Sequence, residues 1–226
     1  MTLAGALVAG AAVSEPRPSV LELYTSEGCS SCPPAEEFVA ELAQRRDVLP
    51  LSFHVDYWND LGWRDRFTAE EATPRQRVYA GTLRRNSVYT PQAVIDGEAD
   101  YVGSDRRSIL AALSRAREGV ATRLAIADAN LTVTVGALPG GTPADVLLIS
   151  YLYQATSQIG RGENSGRTLQ EFNIVRSVVR LGSWDGSERS FHAPLASLPR
   201  DATHVALIVQ AAGQRAILGA ASLAIR

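Results

Sequence analysis

The chain has 226 residues, of which 46% are hydrophobic and 20% charged, the balance of a globular protein with room for two domains. A formal net charge of -2 leaves no overall basic footprint for nucleic acid. All 22 basic residues are arginine, which excludes lysine Schiff bases, P-loop lysines and lysine general bases.

The chain opens with an uncharged, small-apolar run at residues 3–13, about as long as a signal-peptide core and too short to span a bilayer. Small residues cluster at Ala9 to Ala12, as a cleavage site needs, although no basic residue precedes the run. Residues 1–18 are therefore expected to be a signal or N-terminal segment, and the protein to be periplasmic or secreted. No other segment approaches transmembrane length.

"VLELY" at residues 20–24 reads as a short buried strand. Ala35, Phe38, Val39 and Leu42 then recur at helical spacing, and the helix is expected to run to about Arg46. "VLPLSFHVD" is a second strand, ending near Asp56, followed by the aromatic loop "YWNDLGWRDRF". Thr68-Ala69-Glu70-Glu71 has the capping-box pattern, and Thr73-Pro74 is an alternative helix start; the helix should carry Val78, Tyr79 and Leu83. "VYTPQAVIDGEADYVG" reads as a hairpin turning at Asp96-Gly97. Ser104 is placed as the N-cap of a third helix through Ile109, Leu110 and Leu113, with Gly119 as its C-cap.

The order to Gly119 is thus β-α-β-α-β-β-α. Beyond it, "TRLAIAD", "NLTVTVG", "DVLLISYLY", "NIVRSVVRLGSW", "HVALIVQAA" and "ILGAASLAI" are strand-like runs separated by turn signals. They predict an all-β, sandwich-like second domain. The boundary falls near Val120, giving domains over residues 19–119 and 120–226.

Both cysteines, Cys29 and Cys32, stand three apart in "TSEGCSSCPPAEE", after a strand and at the mouth of a helix. That placement favours a thiolate at the first sulfur and lets the second attack a mixed disulfide. The same spacing serves a permanent disulfide staple or half of a metal site. Pro33 and Pro34 fit only the first helical turn, so the regular helix is expected to start at or after Cys32. His54, in the second strand, reads as a structural histidine; its functional reading is a third copper or zinc ligand. Met1 is the only methionine, so a mature chain offers no thioether for copper, and no fourth zinc ligand is legible, since His192 and His204 lie in the second half.

The front half resembles the thioredoxin superfamily through Cys29-Ser-Ser-Cys32 and, about sixty residues on, Tyr89-Thr90-Pro91-Gln92. The resemblance implies a thioredoxin-like α/β fold over residues 19–119, a cis Pro91 beside the dithiol, and Thr90 offering backbone groups to an extended substrate. More narrowly, "LYTSEGCSSCPPAE", "FHVDYWNDLGW", "RQRVYA", "VYTPQAVIDG" and "GRGENSGRTLQEFNIVR" resemble a family of exported bacterial proteins, DUF1223-like, with such a front half. Against thioredoxin itself, Gly28 replaces a tryptophan and Ser30-Ser31 a Gly-Pro turn. Leu23 takes the place of a buried acid, and Glu22 should face the other side of the sheet.

The expected function is thiol–disulfide exchange, with Cys29, Cys32 and Pro91 as catalytic residues and Tyr89, Thr90, Gln92, Trp58 and Asp56 lining the substrate site. The alternatives are a binding module with a structural disulfide, or a copper or zinc chaperone. No cofactor is expected. The substrate would be a protein or small-molecule thiol or disulfide, and the all-β domain would dock a partner or pair two protomers as a homodimer. Trp58, Trp63 and Phe67 either bind substrate or fill a small accessory core, and Asp65 and Arg66 read as solvated charges. Arg75, Gln76 and Tyr79 either line the cleft or form a helix surface. The segment "GRGENSGRTLQEF", with Arg161, Glu163, Asn164 and Arg167, has the polarity of a binding loop or of a long hairpin loop.

Overall fold

The computed structural model describes residues 14–226. The expected leader at residues 3–13 lies outside them. In chain order the elements are β1 (Glu15–Arg17), β2 (Ser19–Thr25), α1 (Pro33–Leu42), β3 (Val48–His54), α2 (Ala72–Thr82), β4 (Gln92–Ile95), β5 (Ala99–Val102), α3 (Arg106–Leu113), β6 (Arg117–Gly119), β7 (Thr122–Ala127), β8 (Asn130–Val135), β9 (Ala144–Gln158), β10 (Thr168–Trp184), β11 (Arg189–Pro194), β12 (His204–Ala211) and β13 (Ile217–Ala224). Among the described residues no helix is long and apolar enough to cross a membrane.

The architecture is mixed α/β around an eight-stranded sheet in the order β13-β12-β9-β10-β3-β2-β4-β5. β2 and β3 pair in parallel, and both are buried along their whole length, as strands covered on two faces must be. Alternation along β2 divides the faces. Leu21 and Leu23 pack with Ala35, Phe38 and Leu42 of α1 and Ile109 of α3. Val20 and Tyr24 pack on the other face with Tyr79 of α2 and Ile149 of β9. Glu22 lies on that second face, where Arg75 grips its carboxylate at 2.6 and 2.7 Å and the Tyr79 hydroxyl donates to it at 2.7 Å. Arg75 and Tyr79 are therefore core residues on α2 rather than part of a cleft wall.

The second half is all-β, yet its strands continue the first half's sheet. β10 joins β3 through the single parallel bridge Ile174–Ser52, and the Asn173 amide donates to the Pro50 carbonyl at 2.8 Å. A three-stranded sheet, β11-β8-β7, covers this extension. Leu131, Val133 and Val135 meet Val146, Leu148, Val205 and Leu207 across the interface, which makes a sandwich with one layer shared between the halves. β1, drawn from the N-terminal segment, pairs antiparallel with β6.

Element ends differ from expectation in four places. α1 stops at Leu42 rather than Arg46. α2 begins at Ala72 without a side-chain cap, because the Thr73 hydroxyl donates to Asp56 Oδ1 at 2.6 Å instead. α3 is capped by Asp105, which accepts from the Ser108 N–H, rather than by Ser104. Gly119 is not a helix cap but the end of β6, where a Cβ would lie 2.1 Å from the Leu218 carbonyl oxygen.

Candidate functional site

Cys29 and Cys32 form a disulfide at the C-terminal end of β2. Cys32 is the N-cap of α1, and Pro33 and Pro34 occupy the first helical turn, where their missing N–H groups have no intrahelical partner to lose. The hairpin of β4 and β5 brings its entry loop to the same end. The Thr90–Pro91 peptide is cis, and the Thr90 hydroxyl donates to Cys29 Sγ at 3.3 Å. The Ser31 hydroxyl lies 3.4 Å from the same sulfur. Trp58 completes this side: its indole N–H donates to Thr90 Oγ1 at 2.9 Å, and a Cβ on Gly28 would come within 3.2 Å of Trp58 Cβ. The loop after β3 thus packs Trp58 against both Gly28 and Thr90.

Of the other expected site residues, Gln92 is buried and spans Gln76 Nε2 at 2.9 Å and Asp100 Oδ2 at 3.0 Å. The Tyr89 carbonyl accepts from Gln76 at 2.7 Å and its hydroxyl donates to Asp100 at 2.8 Å. Burial, together with the Asp100 carboxylate, pushes the Tyr89 hydroxyl well above its ordinary range. Gln76, Tyr89, Gln92 and Asp100 therefore form one network that holds the Thr90–Pro91 loop in place. Asp56 is exposed and bonded to Thr73.

Beneath the dithiol segment lies a buried polar cluster. His54 Nδ1 is 2.7 Å from Asp65 Oδ2, and its Nε2 is 4.0 Å from Glu171 Oε1. Asp65 is not a solvated charge: its carboxylate also accepts the Glu27 and Phe67 N–H groups, each at 2.8 Å. Glu36, one turn after Cys32, accepts from the Ser52 hydroxyl at 3.3 Å. Burial alone would lower the His54 pKa, but Asp65, Glu171 and Glu36 outweigh it and raise it to about 10. Burial pushes Glu171 up to about 8 and raises Glu36 as well, partly offset in each case by His54. Among the described residues no three His, Cys, Asp or Glu side chains are arranged to hold a metal ion; His54 is committed to Asp65.

The loop of residues 160–167, between β9 and β10, closes over the site. Asn164 Nδ2 donates to the carbonyls of Glu27 and Cys29, each at 2.9 Å. Glu163 Oε2 accepts from the Ser30 N–H at 3.1 Å and the Ser30 hydroxyl at 2.6 Å, bonds that hold the Glu163 carboxyl below its ordinary range. Cys29 and Cys32 are 0% and 1% exposed. The polar loop was visible in the sequence; its target was not. Nor were Glu27, Glu36 and Glu171, since a carboxylate in a turn, a first helical turn or a strand carries no mark of burial.

A family model described as "Protein of unknown function (DUF1223)" matches residues 20–210. Among solved structures, protein AGR_C_4864 from Agrobacterium tumefaciens is similar, with 32% identity over 95% of this chain and 97% of that chain and a TM-score of 0.82. HBP35 of Porphyromonas gingivalis shares 14% identity over 92% of this chain and 75% of that chain, with a TM-score of 0.63, a likeness of fold alone. No curated protein matches the chain.

Proposed function

The chain belongs to the DUF1223 family, and we propose that this member is an exported thiol–disulfide oxidoreductase-like protein built on a thioredoxin-like front half. The observation that carries the reading is the meeting of two distant segments: the Cys29–Cys32 bond at the mouth of α1 and the Thr90 hydroxyl 3.3 Å from Cys29 Sγ. The order β2-α1-β3-α2-β4-β5-α3, with β2 and β3 parallel and β4 antiparallel to β2, supports the thioredoxin-like reading of residues 19–119.

In the oxidised state a substrate thiolate attacks Cys29 Sγ. The Cys29–Cys32 bond breaks, Cys32 leaves as a thiolate that takes up a proton, and a mixed disulfide remains. A second substrate thiolate then attacks the substrate sulfur of that mixed disulfide, releasing the substrate disulfide and Cys29 as a thiolate. The reverse sequence reduces a substrate disulfide, with Cys32 as the resolving thiol. The Thr90 and Ser31 hydroxyls are the groups at hand to donate to a Cys29 thiolate, which hydrogen bonding favours over the thiol.

Cys29→Ser is expected to abolish turnover of a dithiol–disulfide couple, and Cys32→Ser to accumulate mixed disulfides with the substrate. Turnover by Cys29→Ser at the wild-type rate would remove the proposal. The near-complete burial of both sulfurs favours a second reading, a binding module in which the bond is a permanent staple. On that reading either cysteine substitution lowers stability and traps nothing.

A further inference from the structure

We infer that residues 160–167 form a lid that occupies a polypeptide-binding site at the dithiol, so that the natural partner is a cysteine-bearing peptide segment rather than an isolated small thiol. The inference rests on the thiol–disulfide reading for its purpose and on the lid contacts for its geometry.

Three observations carry it. First, the lid is self-contained. Gly166 N–H donates to Ile159 O at 2.8 Å, Ser165 N–H to Gly162 O at 3.1 Å, and Arg167 N–H to Asn164 O at 3.0 Å. Among the described residues, no main-chain bond ties residues 160–166 to the dithiol segment. Its polar hold on that segment comes from two side chains, Glu163 and Asn164. The loop rests beside Trp63, where a Cβ on Gly162 would be 3.2 Å from Trp63 Cβ. It can therefore lift as a unit about the ends of β9 and β10 without breaking its own bonds.

Second, both sulfurs are buried while the lid is down. A thiolate must approach the disulfide in contact, and the lid grips the main chain at Glu27, Cys29 and Ser30, around the first sulfur; on this inference its lifting is the local opening that admits the attacking thiolate.

Third, the lid's two contacts copy what a peptide main chain offers. Asn164 supplies an amide N–H donor to the Glu27 and Cys29 carbonyls, and Glu163 supplies an oxygen acceptor to the Ser30 N–H. Lifting the lid leaves the Glu27 carbonyl in need of a donor beside the Ser30 N–H in need of an acceptor, while the Cys29 carbonyl keeps the Cys32 N–H at 3.1 Å. An extended segment supplies both from one backbone. The Asn164 carbonyl oxygen, by contrast, is buried without a partner; the side chain is held for its N–H groups.

The test compares two thiols of matched thiolate concentration, N-acetylcysteine amide and a blocked hexapeptide with one central cysteine. The readout is the rate at which each opens the Cys29–Cys32 bond, followed as mixed disulfide by mass spectrometry. Wild-type protein should react slowly with both. The Glu163→Ala/Asn164→Ala variant should react at least about 30-fold faster with both, the factor that even two of the four lost hydrogen bonds represent. In that variant the peptide should outpace the single-residue thiol by about 5-fold, the worth of one further hydrogen bond. Equal rates for wild type and variant would overturn the lid, and equal rates for the two thiols in the variant would overturn the polypeptide assignment. Should the double variant not fold, Glu163→Ala alone serves, because that side chain is exposed; it should still give about 5-fold. These rates are independent of turnover, so a Cys29→Ser protein active at the wild-type rate would remove the catalytic reading without touching the lid.

Discussion

Asp65→Asn should destabilise the protein strongly, and by an amount that depends on pH. The Asp65 carboxylate faces the buried His54 at 2.7 Å and accepts two main-chain N–H groups at 2.8 Å. An asparagine keeps the volume, removes the counter-charge and turns one acceptor into a donor. The His54 pKa stands at about 10 when folded, against an ordinary 6.5. At about 1.4 kcal/mol per tenfold change, that interval sets a ceiling of about 5 kcal/mol. Buried pairs broken by removing one partner lose about 3–5 kcal/mol, so the expected loss near pH 6 is roughly 3–4 kcal/mol. The sign follows from linkage: a raised folded pKa contributes in full below the unfolded value of 6.5 and is lost as pH rises through about 10. Glu171, raised to about 8, acts in the same direction between about pH 4.5 and 8. Urea unfolding of the oxidised protein from pH 5 to 10 should therefore show wild-type stability falling with pH and the gap to Asp65→Asn narrowing toward pH 10. A gap that stays constant across that range, or a loss below about 1 kcal/mol near pH 6, would refute the reasoning.

Other substitutions test the neighbouring parts. Arg75→Met leaves the Glu22 carboxylate buried without its bidentate partner and should cost about 3–5 kcal/mol in thermal or urea unfolding, with Glu22→Gln/Arg75→Met recovering more than half. Gly103→Ala would place a Cβ 2.7 Å from Leu23 Cδ1 and 2.9 Å from Pro91 Cβ; overpacking should cost about 1–3 kcal/mol, and displacement of the Pro91 loop should lower the exchange rate. Thr90→Val removes the hydroxyl that donates to Cys29 Sγ, and the pH profile of alkylation of the reduced protein should show the Cys29 thiol pKa raised by about one unit.

Much of the first half was legible because its signals are local. The apolar run of β2, the helical spacing from Ala35 to Leu42 and the Asp96-Gly97 turn each depend on a few neighbouring residues. At that turn both residues have positive φ, 50° and 70°, which is what Asp-Gly predicts. The shared sheet was not legible. β10 meets β3 through one bridge, Ile174–Ser52, and nothing in either strand's alternation specifies a neighbour so far along the chain. Asp65 misled for a related reason: in "WRDRF" it reads as a surface charge, and only the fold brings His54 and the Glu27 N–H to it. Gly119 misled because close approach of the Leu218 carbonyl, not a helix end, requires the missing side chain. The "GRGENSGR" loop declared its polarity, while its hold on Ser30 and Cys29 depends on the β9–β10 hairpin reaching the far end of the sheet.

The reduction potential of the Cys29–Cys32 pair, measured by equilibration with glutathione buffers, tests the central claim most directly. An exchanging dithiol predicts a value above about -300 mV; a value well below it, the range of structural disulfides, would contradict the account and leave the bond a staple.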